Sequence, residues 1–530
     1  MRLTLISACT AALLSFVATA DATPVKTDSG LVEGTTVNGI TAYKGIPFAA
    51  PPIGDLRWRA PQPAPPWTGV RKADALAPAC VQDQSFNKFI GLPELPLSED
   101  CLYLNVWTPA QSANAKLPVM VWIYGGAFVG GATGYPLYDG AHLAGKGVVI
   151  VTIAYRVGAF GFLAHPELDT ESGGLGSGTF GLMDQIAGLQ WVQRNIAAFG
   201  GDPSNVTIFG ESAGGYSVSM LAYSPKAKGL FARVIAESGA NFHPAKMSAD
   251  DAGLSLLGLG LADKNGVSFL QKIGANSIAT ARKIPAADIM KAQGPGFAAF
   301  WPVLDGNILP GDEYAAYQRG DYNDTPALIG TNEDEGAVFV REATLVSYTD
   351  MVRKGYGANA DAILAAYPAS NDATALRAQR DLFSDTAFVW PTYAWAQLQS
   401  ANGKSHVFEY RWTHRPPSYD KFPMMKDLKA SHGSEIAYVF GNAEAGWTDA
   451  DRKVSDAIET YWINFARTGD PNGAGAAAWP AYSVAAPTVM KLDVMPEQTT
   501  LPNGARLKVL DDYYAWRRGQ PGGGQLVSAP

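Results

Sequence analysis

The 530-residue sequence predicts one α/β domain, with a mostly parallel central sheet, helices on both faces and helical excursions over one edge. Two continuous apolar runs, at 118–124 and 148–155, are typical of strands that are covered on both faces. A segment with helical spacing at 184–199 separates the second run from another strand at 206–209. Strand and helix units repeated in this order indicate a doubly wound sheet.

The remaining elements follow the same scheme. The glycines and proline at 200–203 are expected to end the predicted helix and to turn the chain into the next strand. Helical stretches lie around 249–292 and 358–400, and strand-like runs return at 327–330 and 406–412. We expect the helical stretches to cover the carboxyl edge of the sheet, where ligands of open α/β sheets bind.

Both termini differ from the rest of the chain. Residues 1–20 combine a positive charge, a short apolar run and an A-x-A site, the parts of a secretory signal peptide. Cleavage after Ala20 or Ala22 would leave a single domain over residues 23–517 and a glycine-rich tail, 518–530, that we expect to be disordered. The sequence therefore predicts a secreted or periplasmic protein.

Composition narrows the classes of partner. The net charge of −8 argues against a nucleic-acid partner. No later segment resembles a membrane-spanning helix, so we expect no membrane anchor. Neither an H-E-x-x-H pattern nor a pair of histidines at ligand spacing occurs, and we expect no metal and no cofactor.

Cysteine usage fits an exported chain. One of the three cysteines, Cys9, lies in the predicted signal peptide. A lipoprotein cleavage site at Cys9 is an alternative, but the apolar run continues well past Cys9, which argues against cleavage there. Cys80 and Cys101 remain, and in an oxidising compartment we expect them to pair, which would contribute about 3 kcal/mol. Two buried free thiols are the alternative.

The pattern G-x-S-x-G occurs at 210–214, between the predicted strand and a helix-compatible segment. A strand, a sharp turn and a helix in this order expose the serine hydroxyl, so Ser212 is a candidate nucleophile. Gly210 and Gly214 are expected where strand and helix approach too closely for a Cβ.

A serine nucleophile needs a base, and an acid that orients the base. Three histidines lie far enough beyond Ser212 for an intervening acid: His406, His414 and His432. His406 lies in an apolar run, which favours a structural role, and the neighbouring Arg415 disfavours further positive charge on His414. We favour His432, in a loop beside a glycine, over the alternative of a solvated loop histidine.

The acid is expected in the loop that follows the strand at 327–330. Glu333, Asp334 and Glu335 are all candidates, and the chemistry of the residues does not choose among them. A solvated acidic turn is the alternative reading of this loop.

Backbone donors for an oxyanion are expected from the glycine-rich segment at 124–128, which follows a strand and precedes Ser212. Ala213, directly after the nucleophile, would supply a further N–H group. A Gly-Gly turn without function is the alternative.

Longer segments carry a family resemblance over most of the mature chain. It begins at 43–49 and 56–58, and its most specific parts are SEDCLYLNVW at 98–107 and the block 199–215. Through these segments the sequence resembles the type-B carboxylesterase and cholinesterase family of α/β-hydrolases.

The resemblance implies that Glu335 is the acid, because the family's acid is the last acidic residue before a glycine. It also implies a small-molecule ester as the substrate. It further implies that Gly126, Ala127 and Ala213 are the oxyanion donors. Glu211, Ser238 and Glu435 would form a polar layer around Ser212, Glu335 and His432, and Cys80 would pair with Cys101.

The chain departs from this family at three places. Ala127 replaces a glycine of many relatives, and we expect it to crowd the alcohol side slightly while keeping the N–H donor. The loop from 80 to 101 contains Phe86 and Phe89 but no tryptophan, so a choline ester is not the expected substrate. Small residues in the stretch aligned with the acyl pocket favour a roomy pocket, with an ordinary loop as the alternative: Gly296, Ala298 and Ala299.

These observations predict an exported serine carboxylesterase in which Ser212 attacks the ester, His432 moves the proton and Glu335 orients His432. One alternative is a lipase-like hydrolase that acts at an oil interface. Another is a non-catalytic, cholinesterase-like recognition module, although such modules typically lack part of the triad. The sequence leaves open the acyl and alcohol preference, the stereoselectivity and the oligomeric state.

Overall fold

The computed structural model describes residues 20–85, 92–248, 251, 253–294, 300–421, 425–444 and 446–520. Its strands are β1 Ala20–Asp21, β2 Val25–Lys26, β3 Leu31–Glu33, β4 Thr35–Val37, β5 Ile40–Pro47, β6 Val70–Lys72, β7 Ala79–Cys80, β8 Leu97–Ser98, β9 Tyr103–Thr108, β10 Leu117–Ile123, β11 Val149–Ile153, β12 Gly201–Glu211, β13 Arg233–Glu237, β14 Leu257–Gly258, β15 Val303–Leu304, β16 Ala327–Asn332, β17 Val407–Trp412, β18 Val489–Leu492 and β19 Glu497–Thr499. Its helices are α1 Ala141–Gly145, α2 Gly158–Phe162, α3 Pro166–Glu171, α4 Phe180–Asn195, α5 Ala213–Tyr223, α6 Leu259–Lys272, α7 Ile278–Ala281, α8 Ala286–Gln293, α9 Glu313–Arg319, α10 Leu345–Tyr356, α11 Ala360–Ala366, α12 Asp372–Ser384, α13 Trp390–Asn402, α14 Ile436–Phe440, α15 Asp449–Thr468 and α16 Gly504–Arg518. None of the helices within these ranges combines the length and apolarity that crossing a membrane requires.

The central sheet has the strand order β1-β4-β5-β9-β11-β10-β12-β13-β16-β17-β18-β19. Neighbouring strands run parallel from β11 through β18, and the pairs toward both edges are antiparallel. Every residue of β11 and the last five residues of β10 are buried. Because successive side chains point to opposite faces, both faces of the sheet are covered. The predicted α/β architecture is confirmed.

The carboxyl ends of the central strands bring the predicted site residues to one edge of the sheet. Ser212 follows β12 and Ser238 follows β13. The glycine-rich segment at 124–128 follows β10, and the acidic loop follows β16. These strands are neighbours in the order β10-β12-β13-β16, so the loops behind them converge.

The turn predicted at 200–203 is shorter in the structure. Gly200 ends the preceding 3₁₀ turn with φ of 81°, but β12 begins directly at Gly201. The pairing of β12 with β10 shifts its register between Leu117 and Val119, where the partners jump from Gly201 to Val206. A bulge therefore takes up the intervening residues, and Pro203 lies within it, where a missing N–H is tolerated.

The described part of the chain extends slightly beyond the predicted domain, 23–517, at both ends. Helix α16 reaches Arg518, one residue past the predicted domain end, and Arg518 forms an ion pair of 2.9 Å with Asp312. Of the predicted tail, residues 521–530 lie outside the described part of the chain. At the other end β1 pairs with β4, and residues 1–19 of the predicted signal peptide also lie outside it.

Cys80 and Cys101 form the predicted disulfide. Cys80 ends β7, which pairs with β8, and both cysteines are buried. The bond joins the end of β7 to the residue two positions before β9, a strand of the central sheet.

Replacing both cysteines by alanine is expected to lower the free energy of unfolding by about 3 kcal/mol, because the unfolded chain regains the freedom of the closed loop. Urea unfolding with and without a reductant measures the effect. The reductant should destabilise the native protein and leave the double variant unchanged. Equal midpoints for the native protein and the double variant would contradict the expectation.

Glu409, on β17, predicts a pH dependence of stability. Burial raises the pKa of its carboxyl from an ordinary 4.5 to about 8. The folded state therefore keeps a proton that the unfolded chain releases, so this stability is fully present below pH 4.5 and is lost as the pH rises toward 8. Glu409→Gln mimics the neutral acid, so its free energy of unfolding should decrease less between pH 4.5 and pH 8, by a few kcal/mol.

Urea midpoints at pH 5 and pH 8 test this expectation for both proteins. The native protein should lose more stability than Glu409→Gln between the two values. The same loss in both would show that Glu409 does not hold the proton.

Candidate active site

Ser212 lies on a strained turn between β12 and α5. Its φ of 57° and ψ of −123° are uncommon for a residue with a Cβ. Two backbone hydrogen bonds hold this conformation: Ser212 N–H donates to the carbonyl of Glu237 at 2.9 Å, and Tyr216 N–H donates to the carbonyl of Ser212 at 2.8 Å. The surroundings thus fix Ser212 on a sharp turn between a strand and a helix, the arrangement that the sequence predicts.

The two glycines around Ser212 are required by close packing. A Cβ on Gly210 would lie 2.5 Å from the carbonyl oxygen of Ile123, and a Cβ on Gly214 would lie 2.0 Å from the same atom. Both distances are far below van der Waals contact, which confirms the predicted reason for glycine at these positions.

Glu335 and His432 form a hydrogen bond of 2.6 Å between Oε2 and Nδ1. The side chain of Glu335 is fully buried and that of His432 is 9% exposed. Two further donors reach the other carboxylate oxygen of Glu335: the backbone N–H of Asn332 at 2.6 Å and Oγ of Ser238 at 2.7 Å. Three hydrogen bonds therefore orient this carboxylate toward the imidazole.

The other two acidic residues of the loop point elsewhere. Glu333 pairs with Lys429 at 2.8 Å, and Asp334 pairs with Arg377 at 2.9 Å. Of the three carboxylates that the residues alone left open, Glu335 is the one that contacts His432.

The other ring nitrogen of His432 faces Glu211, the residue that precedes Ser212. Nε2 lies 3.2 Å from Oε1 of Glu211 and has no hydrogen-bond partner among the described residues. The bond from Ser212 to His432 is thus not formed in this structure. Such bonds are often long without substrate and tighten when the substrate binds.

Buried carboxyl groups lie around the pair formed by Glu335 and His432. Burial, and then the charges of Glu335 and Glu237, raises the pKa of Glu211 well above its ordinary value. Burial, and then the charges of Glu211 and Glu335, raises the pKa of Glu435 to about 8. Asn332 Nδ2 donates to Glu435, and Trp462 Nε1 donates to Glu237 at 2.8 Å. Glu211 and Glu435 thus hold protons more tightly than ordinary glutamates, and Glu237, which sequence reasoning missed, is a third buried carboxyl beside them.

The structure separates the other candidate histidines from Ser212. His406 is exposed and precedes β17. His414 lies between two carboxylates, with Nε2 2.8 Å from Asp451 and Nδ1 3.3 Å from Asp493. The positive neighbour Arg415 pairs with an acid of its own, so a pair of aspartates, and not that arginine, dominates the surroundings of His414.

The predicted oxyanion loop has an unusual backbone. Gly126, Ala127 and Phe128 have φ values of 116°, 53° and 60°. A positive φ carries no steric penalty for Gly126, which has no Cβ, but it strains the backbone of Ala127 and Phe128. The OH of Tyr124 donates to the carbonyl of Tyr155 at 2.8 Å, and the OH of Tyr155 donates to the carbonyl of Tyr124 at 2.9 Å. These reciprocal bonds anchor the start of the loop.

Ala213 is the first residue of α5. The first N–H groups of a helix have no acceptor within the helix, so the N–H of Ala213 makes no intrahelical hydrogen bond. Gly126 and Ala127 are partly exposed, which leaves their backbone accessible to a ligand.

Two aromatic rings that sequence reasoning missed lie against His432. The centroid of Phe388 is 4.4 Å from that of the imidazole, and the centroid of Phe339 is 5.0 Å from it. Phe339 follows Glu335 by four residues, and this proximity in the sequence is a signal that Phe339 lies near the candidate site. Phe388 lies in a distant helical stretch, where the sequence carries no such signal.

Several predicted features lie outside the described residues. Phe86 and Phe89 fall in the segment 86–91, and the predicted acyl-pocket residues fall in 295–299. Across the described ranges, no group of three or more His, Cys, Asp or Glu side chains could hold a metal ion.

Comparison with known proteins supplies the family. A model of the carboxylesterase family matches residues 21–509. The chain is 38% identical to the fumonisin B1 esterase of Sphingopyxis macrogoltabida over 475 residues, which cover 86% of this chain and 84% of that protein. It is also 38% identical to the para-nitrobenzyl esterase of Bacillus subtilis (strain 168) over 478 residues, with 86% and 92% covered.

Comparison with solved structures indicates the same family. A solved PNB esterase matches with a TM-score of 0.80 and 36% sequence identity, covering 92% of this chain and 99% of its own. The family match at residues 21–509 spans both the central sheet and the loops that carry the candidate site. The chain therefore belongs to the carboxylesterase family of α/β-hydrolases, and it is a carboxylic ester hydrolase.

Proposed function

We propose that the protein is an exported serine carboxylesterase that works through an acyl-enzyme. The observation that carries the proposal is the 2.6 Å hydrogen bond from His432 to the buried Glu335, at the sheet edge where Ser212 lies on its strained turn. A buried carboxylate that accepts from Nδ1 fixes the tautomer in which Nε2 is free to take a proton.

In the first half of the reaction, Ser212 Oγ attacks the ester carbonyl while His432 Nε2 takes the hydroxyl proton. The N–H groups of Gly126, Ala127 and Ala213 stabilise the oxyanion of the tetrahedral intermediate. His432 then gives the proton to the leaving alkoxide, and the alcohol departs. The product of this half is an ester between the acyl group and Ser212.

In the second half, water attacks the acyl-enzyme and His432 takes its proton as general base. Collapse of the second intermediate returns the proton to Ser212 and releases the acid. Glu335 stays ionised throughout and stabilises the imidazolium that forms twice. Ser238, Glu211 and Glu435 support this arrangement as polar neighbours of the triad.

Partitioning of the acyl-enzyme tests the mechanism. We suggest p-nitrophenyl, phenyl and p-nitrobenzyl butyrate as substrates with methanol as a competing acceptor. If one butyryl-enzyme forms from all three, the ratio of methyl butyrate to butyric acid should be the same. A ratio that changes with the leaving group would contradict a common acyl-enzyme.

Export is supported by the disulfide, since disulfides persist in oxidising compartments. Expression of the full chain in a bacterial host, followed by N-terminal sequencing of the protein outside the cytoplasm, tests it. The mature chain should begin at Asp21 or Thr23. An intact N-terminus on a cytoplasmic protein would contradict export.

A further inference from the structure

A π-helical turn, Asp385–Val389, lies between helices α12 and α13. Such turns are rare and occur often at functional sites. This one carries Phe388, whose ring lies 4.4 Å from the imidazole of His432 with 31° between the two planes. Phe388 is only 2% exposed, so it presents its ring to the histidine and almost none of its surface to a substrate.

The turn is tied to the helix that follows the nucleophile. The OH of Tyr216 donates to the carbonyl of Ala387, and Tyr216 also donates its backbone N–H to the carbonyl of Ser212 at 2.8 Å. On the other side, Nε2 of His243 donates to the carbonyl of Thr386 at 2.6 Å. Side chains therefore satisfy backbone acceptors of the turn and fix its position relative to Ser212.

The C-terminal helix holds the first residue of the turn. The carboxylate of Asp385 is 2% exposed and accepts from the OH of Tyr367 at 2.9 Å and from Nδ2 of Asn503. Arg506, in the first turn of α16, forms an ion pair of 3.0 Å with the same carboxylate. A buried carboxylate with this many partners is costly to move, because any shift leaves charges unpaired.

We propose that Phe388 is a positioning residue for His432, and that helix α16 fixes Phe388 through Asp385. The proposal rests on the proposed role of His432 as the base. The bond to Glu335 holds one atom of the imidazole but lets the ring swing about that bond. The ring of Phe388 limits this swing, so Nε2 stays directed toward Glu211, the residue that precedes Ser212. A base displaced by about 1 Å can lose on the order of 10²-fold in rate.

Kinetics of Phe388→Leu test the proposal. The variant should lose about 10- to 100-fold in kcat, with KM changed less than about 3-fold, because the ring touches the base and not the substrate. Arg506→Gln, whose side chain is partly exposed, should lose kcat in the same direction but by less. Phe242→Leu is the matched control: its ring is equally buried and contacts Tyr317 and Trp395.

A spectroscopic measurement accompanies the kinetics. The Nδ1 proton of His432, held in a short hydrogen bond, should give a downfield proton resonance in the native protein and in Phe242→Leu. In Phe388→Leu and Arg506→Gln this resonance should broaden or shift. All proteins are compared below their melting temperatures.

Wild-type kcat and an unchanged resonance in Phe388→Leu, or in Arg506→Gln if the first variant does not fold, would overturn the proposal. So would a loss found entirely in KM. His432→Ala, measured alongside, keeps the two hypotheses apart. A fully active His432→Ala enzyme would refute the proposed function itself, whereas an inactive one beside an unaffected Phe388→Leu would refute the positioning role alone.

Discussion

Replacing Ser212 by alanine is expected to reduce kcat for p-nitrophenyl acetate by about 10⁴-fold or more. Without the hydroxyl no acyl-enzyme can form, and only the oxyanion donors and substrate binding remain. Steady-state kinetics at neutral pH measure the loss. The fold should be unaffected, since the backbone of alanine can still donate its N–H to Glu237 and accept from the N–H of Tyr216.

Ser217→Ala is the matched control for this variant. Ser217 lies on helix α5, which begins directly after Ser212, and its Oγ donates to the carbonyl of Ala213 at 2.8 Å. Its removal should change kcat by no more than a few-fold. Near-normal turnover by Ser212→Ala would refute the assignment of the nucleophile.

Replacing Glu335 by glutamine is expected to cost about 10⁴-fold in kcat by imposing the wrong histidine tautomer. The N–H of Asn332 and the hydroxyl of Ser238 both donate to Oε1 of Glu335. In the glutamine variant these donors select the carbonyl oxygen, which leaves the NH₂ group facing Nδ1 of His432. Nδ1 must then accept, the proton moves to Nε2, and the histidine can no longer take the proton of Ser212.

Glu333→Gln makes the same chemical change two residues earlier. Glu333 pairs with Lys429 at the surface and should lose little activity when its charge is removed. If Glu333→Gln lost as much activity as Glu335→Gln, or if Glu335→Gln stayed within 10-fold of the native enzyme, the roles in the acidic loop would be misassigned.

The sheet could be predicted because its signals are local. The runs at 118–124 and 148–155 are continuous and apolar since both faces of β10 and β11 are buried. The elbow at Ser212 could also be predicted, because its two glycines are required by contacts with the adjacent strand. Local pattern and tertiary packing agree at these places.

The candidate acid could not be chosen from local signals. Glu333, Asp334 and Glu335 have the same chemistry, and what distinguishes them is which side of the loop faces a histidine 97 residues later. The family resemblance indicated Glu335, and the contact with His432 agrees with it. The surroundings of His414 could not be inferred either, because Asp451 and Asp493 reach it only through the fold.

The π-helical turn at 385–389 could not be predicted from the sequence for a different reason. The sequence predicts helix around 358–400, and helices α11, α12 and α13 lie there. A π turn adds one residue to a helix, and the spacing of apolar residues does not resolve a single residue. Likewise, the bulge in β12 after Gly201 is visible only in its pairing with β10.

Covalent labelling by an organophosphate is the most direct test of the central claim, that Ser212 is the nucleophile of a working triad. The protein is incubated with diisopropyl fluorophosphate, digested and analysed by mass spectrometry while residual esterase activity is followed. We expect one phosphoryl group per chain, on the peptide that contains Ser212, in proportion to the activity lost. A label on another residue, or complete inactivation with Ser212 unmodified, would contradict the claim.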